Sequence, residues 1–303
     1  MSTLRRKQLS AVCAALLGTL AFVVPAHAAT SAGSTRAGAA TVVTTAIGTT
    51  ADAYVVGPET STAGIVLLHD RFGLDAPTLD LADRLAKMGY RVVAIDLFDG
   101  RSNADPARAA RLVRAIDPAW SETNLRAALA YLRAPQRKLA VVGYGYGGAA
   151  ALRAPLVLPG EVTAVVDFYG PVPSDQRVVQ RLDTAVLAIF SRGDLRTPEA
   201  DIASFEKDMR IYNHPVSITR VSAGYGFAHP GYSTYDAATE QSTWREVVEF
   251  LAQLVPAGSI APPPPAQDSP PPMPDAPTGN GVDPLAPQEE PAVPADVSPV
   301  NPI

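Results

Sequence analysis

The residues able to do chemistry fall into four short clusters, each placed after an apolar run. They are His69-Asp70-Arg71-Phe72-Gly73-Leu74, Gly143-Tyr144-Gly145-Tyr146-Gly147-Gly148, Ser191-Arg192-Gly193-Asp194, and Ala223-Gly224-Tyr225-Gly226-Phe227-Ala228-His229-Pro230. Between them they hold carboxylates, imidazoles and a glycine-rich turn, the parts from which nucleophilic acyl transfer is assembled. One part is missing. No Gly-x-Ser-x-Gly or Gly-x-Cys-x-Gly segment occurs anywhere, and the single cysteine, Cys13, lies far from every cluster. Asp70, Asp194 and His229 are metal-ligand types, but their spacing matches no metal motif, so neither a metal nor a cofactor is expected.

Such clusters need rigid elements to bring them together. Gly64–Leu68, Tyr90–Leu97, Leu139–Val142, Val162–Phe168, Ala185–Phe190 and Val216–Val221 read as strands, several of them apolar throughout, as buried strands are. Helical patterns cover Leu79–Met88, Pro106–Ile116, Ser121–Leu132, Gly148–Val157, Pro198–Met209 and Ala237–Leu254, with Ser121 read as an N-cap and Pro198 in a first turn. Strands alternating with helices predict an α/β domain, a mostly parallel sheet covered on both faces. Thr41–Ile47 and Ala53–Val56 would form a short antiparallel start. In such sheets ligands sit at the carboxyl ends of the strands, where all four clusters fall.

In order and setting, the clusters resemble the dienelactone hydrolase family across residues 50–254. That family, of α/β-hydrolase fold, carries a His-Glu-x-Phe-Gly-Leu loop, a Gly-aromatic-Cys-x-Gly-Gly elbow, an Asp on a later loop and a Gly-His-x-Phe segment. Four motifs in matching order set aside the dinucleotide-loop reading of Gly143–Gly148. The resemblance places Asp194 on the triad acid, Gly145 on the nucleophile and Tyr225 on the general base. It places Asp70 on the glutamate that pairs with the family's thiol, and the backbone N–H groups of Arg71 and Tyr146 on the oxyanion hole. Arg101 lies near a substrate-carboxylate arginine, and His229 stands where a second would be.

Two of these substitutions remove the chemistry. Glycine has no atom to attack a carbonyl. A phenol with a pKa of about 10 is a poor base near neutrality. The tyrosines 144, 146 and 225 would either line an aromatic ligand pocket or fill the volume of the lost site. His69, at a strand end, reads as a structural, hydrogen-bonded histidine.

The 303 residues carry a formal charge of -5, unevenly distributed. Arg5, Arg6 and Lys7 head an apolar stretch, Ala11–Val24, which ends in Pro25-Ala26-His27-Ala28; residues 1–28 read as a cleaved signal peptide. The apolar stretch is too short to span a bilayer, so no stable membrane span is expected after its removal. The expected destination is periplasmic or extracellular. Residues 29–40 read as a flexible leader and 41–255 as the hydrolase-like domain. The tail, 256–303, holds 16 of the 29 prolines and six acids with no Lys or Arg, and is expected to be disordered. The near-neutral middle has no basic run, which argues against nucleic acid as a partner.

Three functions compete. The first is a non-catalytic binder of a small carboxylate or aromatic ligand between the tyrosines, Arg71 and Arg101. The second is a hydrolase of a carboxylic ester or lactone with a rearranged site using Asp194, His229 and water. The third is an envelope interaction protein acting through its proline-rich tail. Glycine at the elbow also predicts a stability effect. The fold's nucleophile sits in a strained backbone conformation worth about 1–3 kcal/mol, which glycine escapes. Gly145→Cys should therefore lower the melting temperature; a variant melting above the parent chain would refute this placement of the elbow.

Overall fold

The computed structural model describes residues 36–44 and 49–258. The expected signal peptide, residues 29–35 of the leader, and the tail from 259 onward lie outside the described residues.

Eight strands form one sheet in the order β1-β2-β4-β3-β5-β6-β7-β8. They are β1 (Ala39–Thr44), β2 (Thr50–Val56), β3 (Ala63–Leu68), β4 (Arg91–Ile95), β5 (Lys138–Tyr144), β6 (Val162–Phe168), β7 (Ala185–Ser191) and β8 (Val216–Val221). β2 runs antiparallel to both β1 and β4, and every pairing from β4 across to β8 is parallel. The antiparallel start expected from the sequence is present, and β1 begins at Ala39, inside the stretch read as leader. This is the α/β-hydrolase architecture.

The helices are α1 (Ala76–Lys87), α2 (Pro106–Ala115), α3 (Pro118–Leu132), α4 (Tyr146–Ala151), α5 (Ala154–Val157), α6 (Gln176–Gln180), α7 (Glu199–Ile211) and α8 (Ala237–Leu254). β3 is buried along its whole length, so its alternating side chains serve two cores. Val66 and Leu68 join Leu125, Leu129, Ala151 and Phe205 on the face covered by α3, α4 and α7. Ile65 and Leu67 join Leu81, Leu85, Val247 and Leu251 under α1 and α8.

α1 and α3 start one turn earlier than the sequence expectation, each behind an Asp followed by a Pro, while α2 starts at Pro106 as expected. Asp75, Asp105 and Asp117 cap α1, α2 and α3, each accepting a first-turn N–H, with proline next or next but one. Ser121 is therefore not the N-cap of α3. It is buried within the helix, its Oγ 2.7 Å from Tyr146 Oη. The stretch 148–157 is two short helices rather than one, and α6 was not anticipated.

The strand–turn–helix joining β5 to α4 is held by close backbone approach. A Cβ on Gly147 would overlap the carbonyl oxygens of Leu68 and His69 at the end of β3. Neither can yield without breaking the sheet, so Gly147→Ala should cost about 3 kcal/mol or more. Gly160 has positive φ, 77°, with nothing near its open side. There Gly→Ala should cost only about 1 kcal/mol of backbone strain. Urea denaturation of the two variants side by side checks the ordering.

Candidate functional site at the β5–α4 elbow

Gly145 sits between β5 and α4 with φ 52° and ψ -108°, a conformation that side chains rarely adopt. It is the tip of the sharp turn. Its N–H donates to the Phe168 carbonyl at 2.8 Å, and its carbonyl accepts from Ala149 N–H at 3.1 Å. A Cβ here would overlap Asp70 Oδ1 and lie 2.9 Å from Tyr225 Oη. The space in front of the elbow is thus occupied by a carboxylate from the β3 loop and a phenol from the β8 loop. Overlap adds to the strain expected for Gly145→Cys.

Asp70 is 1% exposed and fully engaged. Oδ1 accepts from Arg71 N–H at 2.6 Å, the amide that family resemblance assigns to the oxyanion hole. Oδ2 accepts from Tyr232 Oη at 2.8 Å. Tyr225 meets Tyr232 edge-on, with ring centroids 5.4 Å apart. Burial, followed by the Asp70 charge, pushes both phenols well above the ordinary tyrosine range. Tyr225 is therefore held even more firmly as the neutral phenol, and no phenolate is available as a base near neutral pH.

Two guanidinium groups cover these rings. Arg71 Cζ lies 4.2 Å from the Tyr232 ring centroid, and Arg196 Cζ lies 3.9 Å from that of Tyr225. Arg196 also stands beside Asp194, with Nη1 3.5 Å from Oδ1, and its backbone N–H donates to the same oxygen at 3.0 Å. Asp194 Oδ2 is buried without a hydrogen-bond partner among the described residues. A triad acid would spend that oxygen on its histidine; among the described residues no imidazole is bonded to it.

His229 is elsewhere engaged. Its ring stacks on Phe72 with centroids 4.8 Å apart, and it meets Tyr232 edge-on. Gly231 N–H donates to Nδ1 at 3.0 Å, and Nε2 lies 3.2 Å from Asp75 Oδ2. Nδ1 is thus taken up as an acceptor from Gly231, and Nε2 faces the Asp75 carboxylate. His69 is buried, with Nδ1 2.7 Å from the Asp70 carbonyl and Nε2 accepting from Leu97 N–H at 2.9 Å.

The remaining residues named from the sequence do not converge on Gly145. Tyr144 is buried and stacked on Phe168, with centroids 4.4 Å apart. The Tyr146 side chain turns to Ser121 and Phe98. Arg101 is exposed and folds back, Nε donating to its own loop at the Phe98 carbonyl. Conversely, Tyr232, Asp75 and Arg196 were not anticipated. Tyr232 lies seven positions after Tyr225 on one loop, a spacing that carries no periodic signal. Asp75 was readable only as a helix cap.

Among the described residues no group of three or more His, Cys, Asp or Glu is placed to hold a metal, and no helix is long and apolar enough to cross a membrane.

The Asp75–His229 contact predicts a pH effect. Burial pushes the Asp75 carboxyl upward, but the hydrogen bond and charge of His229, with the Thr78 bonds, outweigh it and hold the group below its ordinary value. A depressed carboxyl contributes stability that is complete above its unfolded pKa of about 4 and is lost as pH falls further. Melting temperatures between about pH 5 and pH 2 should therefore drop less steeply for Asp75→Asn than for the parent chain. Equal slopes would refute the contact.

Comparison with known proteins agrees with this geometry. The family model described as the dienelactone hydrolase family matches residues 51–255. A carboxymethylenebutenolidase homolog of Mus musculus is 28% identical over 221 residues, covering 67% of this chain and 87% of its own. The carboxymethylenebutenolidase of Rhodococcus opacus is 28% identical over 211 residues, covering 64% and 82%. A crystal structure of a putative dienelactone hydrolase from Klebsiella pneumoniae superposes with a TM-score of 0.63 at 18% identity, over 71% of this chain and 98% of that one. With the strand order, the glycine elbow and the four strand-end loops all in place, the chain belongs to the dienelactone hydrolase family.

Proposed function

We propose that this chain is a dienelactone hydrolase family member that no longer forms an acyl-enzyme and serves as a small-molecule-binding protein. The observation that carries the reading is at Gly145. The tip of the elbow has no side chain, and the volume a nucleophile would need is taken by Asp70 Oδ1 and Tyr225 Oη. Two further features support it. The Arg71 amide is spent on Asp70 rather than open to a substrate oxygen. The imidazole of the β8 loop, His229, faces Asp75 and accepts from Gly231.

Several relatives are carboxymethylenebutenolidases by name, so ester and lactone hydrolysis is the activity against which silence must be tested. A hydrolase using water directly would need a free base beside the carbonyl site. Asp194 has a spare oxygen, but Arg196 lies against its other one and no imidazole adjoins it. The signal-like segment 1–28 supports an exported protein as part of the same reading.

The test is hydrolysis of p-nitrophenyl acetate and of a five-membered enol lactone by the purified chain and by Asp194→Ala. Both proteins should match the buffer rate. Turnover by the parent chain that falls about ten-fold or more in Asp194→Ala would overturn the proposal.

A further inference from the structure

A second candidate site lies on the other side of the elbow helix. Two adjoining cavities flank α4, between α3 and the segment 171–178. The narrower, of about 120 Å³, is walled by Pro118, Leu125, Tyr146, Ala149 and Ala150. Its volume is close to that of an engineered apolar cavity of about 150 Å³ that binds benzene. The Tyr146 hydroxyl, 2.7 Å from Ser121 Oγ, belongs to the same wall. The wider cavity, of about 660 Å³, is walled by Leu152, Leu156, Val157, Pro171, Val172 and Val178. That size falls in the range of about 300–1,000 Å³ typical of small-ligand pockets.

The two cavities share Glu122, Ala149 and Arg153. The charged groups of the walls are Glu122, Asp175 and Arg153, and the two acids are engaged by other residues. Glu122 is drawn to Arg126, one helical turn on, at 3.5 Å. Asp175, the other acid of the wall, caps α6 by accepting from Arg177 N–H at 2.9 Å. The Arg153 guanidinium makes no hydrogen bond or ion pair to another described residue, its backbone alone being bonded within the α4–α5 turn. An uncommitted guanidinium at the junction of two apolar cavities is the arrangement that selects an anion on an apolar body, since the arginine fork matches a carboxylate.

We propose that this groove binds a small amphipathic carboxylate, its carboxylate on Arg153 and its apolar body along α4. The assignment extends the binding reading above and moves the ligand away from Gly145, where Asp70 and the tyrosines leave no opening at the elbow. It does not depend on whether the elbow is silent. The hydrolysis assay decides the one, and a binding titration decides the other.

The experiment titrates the purified full chain with 2-naphthoate by calorimetry, alongside its neutral analogue 2-naphthamide. Saturable binding is expected with a Kd below about 1 mM, with the amide weaker by about ten-fold or more. Arg153→Gln, an exposed position whose loss leaves the core intact, should weaken naphthoate binding by about ten-fold. Ala149→Leu, which fills the junction, should abolish it while the thermal melt stays cooperative. Three outcomes would overturn the proposal. They are no saturable binding, equal binding of acid and amide, or binding that survives Arg153→Gln but is lost in Arg71→Gln, which would place the ligand at the elbow.

Discussion

A carboxylate taken out of water must be met by donors, or the fold loses several kcal/mol for each unmet charge. Asp70 is such a group, and the arrangement around the elbow follows from how its two oxygens are satisfied. One takes the Arg71 amide, which in an acyl-transfer site would face a developing oxyanion. The other takes the Tyr232 phenol. The carboxylate reaches these donors only because the residue opposite is glycine. A side chain at position 145 and a carboxylate at this place exclude each other on simple volume grounds.

The surrounding residues are consistent with that choice. Tyr225 packs edge-on against Tyr232, the phenol that donates to the carboxylate. Arg71 and Arg196 lie over the two rings and bring positive charge to a cluster that otherwise holds Asp70 and Asp194. His229 is turned to the cap of α1, stacked on Phe72. Asp194 keeps one buried oxygen without a hydrogen-bond partner among the described residues. Around Asp70 itself, both oxygens are met by donors from the β3 and β8 loops.

That arrangement bears on where a ligand can go. An elbow filled from within has its central carboxylate paired and little apolar surface to offer. The opposite flank of α4 has apolar walls, volume and an uncommitted cation. The same short helix therefore separates a closed polar cluster from an open apolar groove. Tyr146, first residue of that helix, contributes its backbone to the elbow and its side chain to the groove.

Much of this was legible in the sequence for local reasons. Continuous apolar runs and 3.6-residue stripes marked the strands and most helices, because burial on one or both faces leaves a direct imprint on residue type. The family followed from four motifs in order, and the expectation that nucleophile and base are substituted rests on two residue identities, Gly145 and Tyr225. The starts of α1 and α3 were misplaced where an Asp-x-Pro or Asp-Pro cap preceded the stripe, since capping depends on a few polar residues and not on periodicity. Partner choice was beyond the sequence. That Tyr146 turns to Ser121, that Arg101 folds onto its own loop, that His229 pairs with Asp75, and that Tyr232 closes over Asp70 depend on side chains brought together from distant loops. Residue type limits which bonds are possible; only the packed strand ends, by setting distances of about 3 Å, decide which are made.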